Sequence, residues 1–518
     1  MSEQDRGRGS SGGRRNAAGR QRPQRPHDNR GRSAQRPAER SRSADPARLV
    51  AYTVMRAVSE GAYANLELPK ALREKGIRGR DAGFATELTY GATRLRGRYD
   101  AVIARAAGRP VSRIDGNVLD TLRLGAHQLL GMRVDAHAAV NETVGLARQV
   151  NGAGASGFVN AVLRRISEKD LEQWRAEIAG SEPAGGDGDA QRDARIARLA
   201  VLESHPEWIV RALRAALLGH GASTAQTVEE DLERLLVADN TPARVSLVAR
   251  PGLADLAELC ADGAEASAVS PVGALLAAGD PGGVRAVREG RAAVQDEGSQ
   301  LVALALAAAE VTPEAVGGAE RWLDLCAGPG GKAALLAALA LERGAGLRAN
   351  EVSAHRADLV RQTLAAGIRA GATVQVTVGD GRDVGADEPA SYDRVLLDAP
   401  CTGLGALRRR PEARWRRTTA DLAELGRLQR QLLTSAIDAT RTGGVIGYAT
   451  CSPHLAETTF VVSDVTRKRT DVRIEDARPL FRGPDGEVLP DLGEGPHVQL
   501  WPHVHGTDGM FFALLRKL

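Results

Sequence analysis

Cys401 directly follows a proline in "LLDAPCTGLGALRRRP", and Cys451 lies between Thr450 and Ser452 in "YATCSPHLAETTF". Both stretches read as an apolar strand running into a turn, where side chains stand at the rim of a sheet. The four cysteines, Cys260, Cys326, Cys401 and Cys451, show no C-x-x-C spacing, so no structural metal site is expected and the thiols should be free. A free thiol suits nucleophilic catalysis once it is ionised, and an ordinary pKa of about 8.5 means that it needs cationic help. Lys332 and nearby arginines are the candidates for that help. Cys260 lacks any such context and reads as structural.

A second set of residues describes a cofactor site. In "DLCAGPGGK" (324–332) the backbone of Cys326, Ala327, Gly328, Pro329, Gly330, Gly331 and Lys332 can pass close to a ligand, ahead of a helix N-terminus. The motif alone also fits a dinucleotide site. Glu351 ends the next strand, where an acid can accept from two ribose hydroxyls. Asp380, after the third, is placed to hold an adenine amino group. Hydride transfer has no use for two thiols beside its cofactor, whereas methylation at C5 of a pyrimidine does. A thiolate added at C6 makes C5 a nucleophile towards a methyl sulfonium, and a base must then take the C5 proton so that the thiol can leave. Asp398, in "DAPC", is of the right type to bond the ring at N3 and its exocyclic amine. The residues by themselves do not rank the two thiols.

Alternating strands and helices must position these groups. From 321 onward β-α-β patterns recur, which implies a mostly parallel sheet with Asp324, Glu351, Asp380, Asp398 and Cys451 on one rim. A long helix, a Gly-Gly turn and a strand lead into Cys451, and "DGMFFALLRKL" is expected to close the chain as an edge strand. Upstream, 47–58, 118–130, 138–150 and 157–167 carry helical spacing, with Val118, Leu122, Ala126, Leu129 and Leu130 in one stripe. These define an all-helical domain over 46–170. "GSEPAGGDGDAQRD" (180–193) reads as a solvated insertion, and 171–290 as a linker with a small α/β module. The first 45 residues hold about a dozen Arg and almost no large apolar side chains, so disorder is expected there. Such an arm either attracts phosphate backbones or merely aids solubility. The segment "GLGALRRRPEARWRR" (403–417) has six Arg around Trp415, and its basic part, 408–417, is expected to bind a phosphodiester backbone and stack a base. No apolar run approaches the ~20 residues of a membrane span, and no secretory leader is evident, so a cytoplasmic protein is expected.

Together, "DLCAGPGGK", "NEVSAHR", "GDGRD", "DRVLLDAPCTGLGALRRRPEARWR", "YATCSPHLAET" and "DGMFFALL" resemble the RNA cytosine-5 methyltransferases of the NOL1/NOP2/Sun family. "RDAGFATELTYGATRLRGRYD" and "GFVNAVLRRIS" look like the NusB-type RNA-binding domain that bacterial 16S rRNA members carry. The resemblance implies an all-α NusB-like domain, a connecting module, and a Rossmann-like class I catalytic domain over 291–518 that uses S-adenosyl-L-methionine. It implies that residues 326–332 with Glu351, Asp380 and Asp398 line the cofactor site. By the same resemblance Cys451 attacks the base, although in DNA cytosine-5 methyltransferases the Pro-Cys thiol does so. Cys401 would assist proton removal and release. The implied partner is 16S rRNA or an assembling small subunit, with the protein a monomer. The competing expectations are methylation of a tRNA or another RNA, an RNA-binding factor without catalysis, and a nicotinamide-dependent oxidoreductase.

Overall fold

The computed structural model describes residues 44–180, 188–277, 279–312 and 318–518. The Arg-rich arm up to 43 and the Gly/Asp-rich residues 181–187 lie outside the described residues.

The chain first forms helices, from Pro46–Ser59 through Gly79–Arg94, Gly116–Leu130 and Ala136–Val150 to Ala153–Ile166. Acids set the starts of three of these helices. Asp45 accepts from the Arg48 amide with Pro46 at the first helical position, and Asp115 and Asp135 cap two later helices in the same way. Val118, Leu122 and Ala126 are buried against Tyr99, Val159 and Leu163, while Leu129 and Leu130 pack half-buried at the edge of that core.

Beyond 170 the organisation differs from the expected linker. Helices continue as Leu171–Ala179, Gly188–Leu202, Glu207–Gly219 and Val228–Asp239. The second begins inside the stretch read as a solvated insertion. Its polar N-terminal half conceals the later apolar spacing of Ile196 and Leu199. These residues join Ile209, Leu213, Leu232 and Leu236 in a core that also takes Leu404, Leu407 and Trp501 from the far end of the chain. The small module that follows is an antiparallel sheet of β1 (Val245–Ala249), β2 (Ala264–Ala266), β3 (Gly273–Leu276) and β4 (Ala292–Val294), in the order β2-β3-β1-β4. Its last strand reaches past residue 290.

The second sheet holds β5 (Arg321–Asp324), β6 (Gly346–Glu351), β7 (Thr373–Val378), β8 (Tyr392–Asp398), β9 (Thr440–Thr450), β10 (Val472–Glu475), β11 (Val498–Gln499) and β12 (Phe511–Lys517). The order is β10-β12-β9-β8-β5-β6-β7, with β11 paired to β12 off that path. From β9 to β7 neighbouring strands are parallel, and β12 and β10 run antiparallel. The C-terminal strand is therefore interior, not an edge; the short β10 covers it. The Gly-Gly pair likewise makes no turn between helix and strand. Gly443 and Gly444 lie within β9, where its pairing jumps from Tyr392↔Thr440 to Arg394↔Val445.

Alternate residues of the central strands face opposite layers. Trp322 and Leu396 pack with helices Glu297–Ala308 and Gly331–Glu342, and Leu323, Val395 and Leu397 pack with Thr419–Ala439 and Thr459–Thr466. With both faces covered, ligand access is left to the strand ends. The chain leaves β5 towards β6 on one side and returns as β8 on the other, so the crevice at their carboxyl ends is the switch point where such sheets bind ligands. Among the described residues no helix is long and apolar enough to cross a membrane.

Candidate active site

The turn after β5 is built around glycines with little room. Gly330 has φ +112°, a conformation that disfavours side chains, and leads into the helix Gly331–Glu342. A Cβ on Gly328 would stand 2.2 Å from Glu351 Oε2. That closeness is used: the Gly328 amide donates to Glu351 Oε2 at 3.0 Å, and Ser353 N donates to Oε1 at 3.0 Å. Glu351 is buried; its Oε2 also faces the Arg356 guanidinium at 3.5 Å, and Oε1 keeps a lone pair for a further donor. Arg356, unmarked by the sequence reading, reaches back to the Gly328 carbonyl at 2.6 Å. A bare backbone turn on a helix N-terminus beside a buried acid fits a nucleoside cofactor with ribose hydroxyls.

Asp380 follows β7 by two residues. Its carboxylate accepts from the Arg382 amide and guanidinium, which hold its pKa below the usual range. Asp324, at the end of β5, is fully buried, and neither oxygen has a hydrogen-bond partner of good geometry. Burial, reinforced by the Asp398 charge, pushes it up to about 7 against the pull of Lys332. Cys326 packs against the core beneath the helix Thr419–Ala439, and burial pushes its thiol up. Cys260 is exposed on the separate four-stranded module.

The two remaining thiols meet. Cys401 Sγ and Cys451 Sγ are 3.4 Å apart, both partly open to solvent, at the ends of the adjacent strands β8 and β9. Lys332 Nζ donates to Asp398 Oδ2 at 2.8 Å on the same rim. Burial pulls Lys332 down, but the charge and hydrogen bond of Asp398 more than offset it, so this ammonium stays protonated beside the sulfurs. The thiols then diverge. The hydrogen bond from Cys401 lowers the Cys451 pKa, with Lys332 and Arg410 assisting against burial and Asp398. The same bond raises Cys401, joined by burial and by the charges of Cys451 and Glu457. Of this coupled pair Cys451 is the thiol that ionises more readily, and Cys401 the one that holds its proton.

The basic segment behaves otherwise than expected. Arg408 is buried and donates to the Gly506 carbonyl at 2.7 Å, and Arg409 bridges Asp296 at 2.8 Å and Asp508 at 3.2 Å. Arg414 is fully buried and reaches Asn240 Oδ1 (2.9 Å) and the carbonyls of Ser204 (3.1 Å), Asp239 (3.2 Å) and Arg94 (3.4 Å). Arg416 donates to the carbonyls of Val58 and Ala62. Trp415 lies against Gly97, with the Arg96 guanidinium 5.7 Å from its ring centre, rather than open for a base. Only Arg410 and, partly, Arg417 remain for a phosphate. The segment fastens the Cys401 loop to the helical part of the chain. His220 does the same for the Cys451 turn through Pro453 O at 2.9 Å.

The model of the 16S rRNA methyltransferase RsmB/F family matches residues 314–516, and that of the NusB family residues 45–168. A ribosomal RNA small subunit methyltransferase B from Pseudomonas putida is 33% identical over 484 residues, covering 91% of this chain and 98% of its own. This chain belongs to that methyltransferase B family. A Mycobacterium tuberculosis protein, provisionally named a methyltransferase with no substrate stated, is 52% identical over 481 residues, covering 92% of this chain and 98% of its own. The crystal structure of PH0851 superposes with a TM-score of 0.71 at 21% identity, over 92% of this chain and 100% of that one, and so shares the fold. A NusB domain followed by a Rossmann-like methyltransferase domain is therefore the family architecture of this chain.

Proposed function

We propose that this protein methylates C5 of a cytosine in 16S rRNA, using S-adenosylmethionine, through a transient bond between Cys451 and C6 of the base. The observation that carries this reading is the pair of sulfurs 3.4 Å apart on the rim that also holds the glycine turn, Lys332 and Asp398. S-adenosylmethionine, when bound, supplies a methyl group on a sulfonium centre. Residues 326–332, Glu351, Asp380 and Asp398 would hold it.

The roles of the chain's own residues follow from their surroundings. The target cytosine leaves its stack to reach the rim. Cys451 thiolate, stabilised by the S–H of Cys401 and the Lys332 cation, forms the bond to C6, and the displaced electron pair makes C5 nucleophilic. Asp398 accepts from the exocyclic amine of the ring. Once Cys451 is a thioether its negative charge is gone, and with it the largest cause of Cys401's high pKa. With C5 methylated, Cys401 can then give its own proton to solvent and act, as a thiolate, as the base. It takes the C5 proton, the C–H pair restores the C5–C6 double bond, and the C6–S bond breaks to return Cys451 as thiolate. The NusB domain supports RNA engagement over 46–170, with catalysis over 291–518.

The test is transfer of labelled methyl from S-adenosylmethionine to deproteinised small-subunit rRNA, followed by nucleoside analysis. Label in 5-methylcytosine supports the reading, and label in any other nucleoside or none overturns it.

A further inference from the structure

Glu457 lies six residues beyond Cys451, in the short turn Leu455–Glu457, with no exposed surface. Every contact its carboxylate makes comes from a donor. Oε1 accepts from the Thr402 amide at 2.8 Å and from Gln429 Nε2 at 3.3 Å. Oε2 accepts from the Thr402 hydroxyl and from Ser452 Oγ at 2.7 Å. Thr402 and Ser452 are the residues immediately after the two cysteines. Gln429 also donates to the Pro400 carbonyl at 2.8 Å, so the Cys401 peptide is held on both sides.

We infer that Glu457 is a positioning residue that sets the separation of the Cys401 and Cys451 sulfurs by gripping both cysteine turns with one carboxylate. β8 and β9 are neighbours at ordinary strand spacing, which by itself leaves two flexible turns and no fixed sulfur distance. One acid accepting from both turns supplies the missing constraint, because moving either cysteine stretches a bond to the same buried group. A displacement of about 1 Å costs on the order of 100-fold where two groups must act in one geometry. The charge of Glu457 also helps to hold the proton on Cys401, which favours the same division of labour. This inference rests on the proposed reaction for its consequence in catalysis, but not for the geometry.

The test separates the two. Phenylarsine oxide bridges paired thiols, forming two S–As bonds with loss of water, and its uptake needs no RNA. Wild-type protein should take up one bridging arsenic, and a Cys401→Ala, Cys451→Ala control should take up none. Glu457→Gln should bridge within about twofold of wild type, since the hydroxyls of Thr402 and Ser452 can accept from the amide instead. Folded Glu457→Ala should bridge at least tenfold more weakly, and its kcat for RNA methylation should fall about 100-fold with the KM for S-adenosylmethionine unchanged. If Glu457→Ala does not fold, Ser452→Ala, which removes one grip, should weaken bridging several-fold. Wild-type bridging in folded Glu457→Ala, or in Ser452→Ala, overturns the inference. Bridging that depends on Glu457 in a protein that methylates no cytosine would keep the clamp and overturn the proposed reaction.

Discussion

Two stretches adjoin in sequence and use their polar residues in opposite ways. The rim formed by Asp398, Cys401 and Cys451 keeps its groups partly exposed around an open crevice. The segment that follows, 403–417, turns four of its six guanidiniums onto the protein, and both terminal nitrogens of Arg414 are bonded within it. The first region arranges charge for a reaction, and the second uses charge to fix where the first one stands. Substitutions should therefore separate: rim changes alter chemistry and spare the fold, while segment changes alter the fold.

The largest effect is expected at Cys451. Cys451→Ala should lower single-turnover methyl transfer by about 10^4-fold or more, while the thermal midpoint and the calorimetric affinity for S-adenosylmethionine stay near wild type. Cys401→Ala should slow turnover by about 100- to 1,000-fold while a covalent protein–RNA species accumulates on denaturing gels. Across the divide, Arg414→Ala leaves buried acceptors at and just beyond the C-terminal ends of three helices without a donor, and urea unfolding should show a loss of about 3–5 kcal/mol. Lysine should rescue it only in part, since one ammonium cannot reproduce the planar fork. For pH, the reactive form is the thiolate and the Cys451 pKa lies below the ordinary thiol value. The single-turnover rate should thus rise with pH about a midpoint lower than that of an ordinary thiol. Arg410→Ala, the smallest change, should move that midpoint upward by less than about half a unit. It should also reduce the salt dependence of RNA binding by about one phosphate contact.

The same contrast explains what the sequence made legible. Asp324, Glu351, Asp398 and Cys451 could be placed because each ends an apolar strand, and a parallel sheet brings all such ends to one rim. The N-terminal helices were readable from their apolar spacing. Arg414 was not, because its acceptors are mostly backbone carbonyls near residues 94, 204 and 239, which leave no mark in composition. Nor was the helix Gly188–Leu202, whose apolar residues come only after a Gly/Asp-rich opening. The C-terminal strand looked like an edge because β10, its outer neighbour, is four residues long. Glu457 stood in a quoted motif without a role, since an acid before a helix ordinarily reads as a cap.

The central claim is that Cys451, held 3.4 Å from Cys401, is the sulfur that bonds the base. The most direct measurement is mass-spectrometric mapping of the RNA-linked peptide trapped by Cys401→Ala in the presence of S-adenosylmethionine. The expected result is a cytidine adduct on the peptide that contains Cys451. An adduct on any other residue, or full turnover by Cys451→Ala, would contradict it.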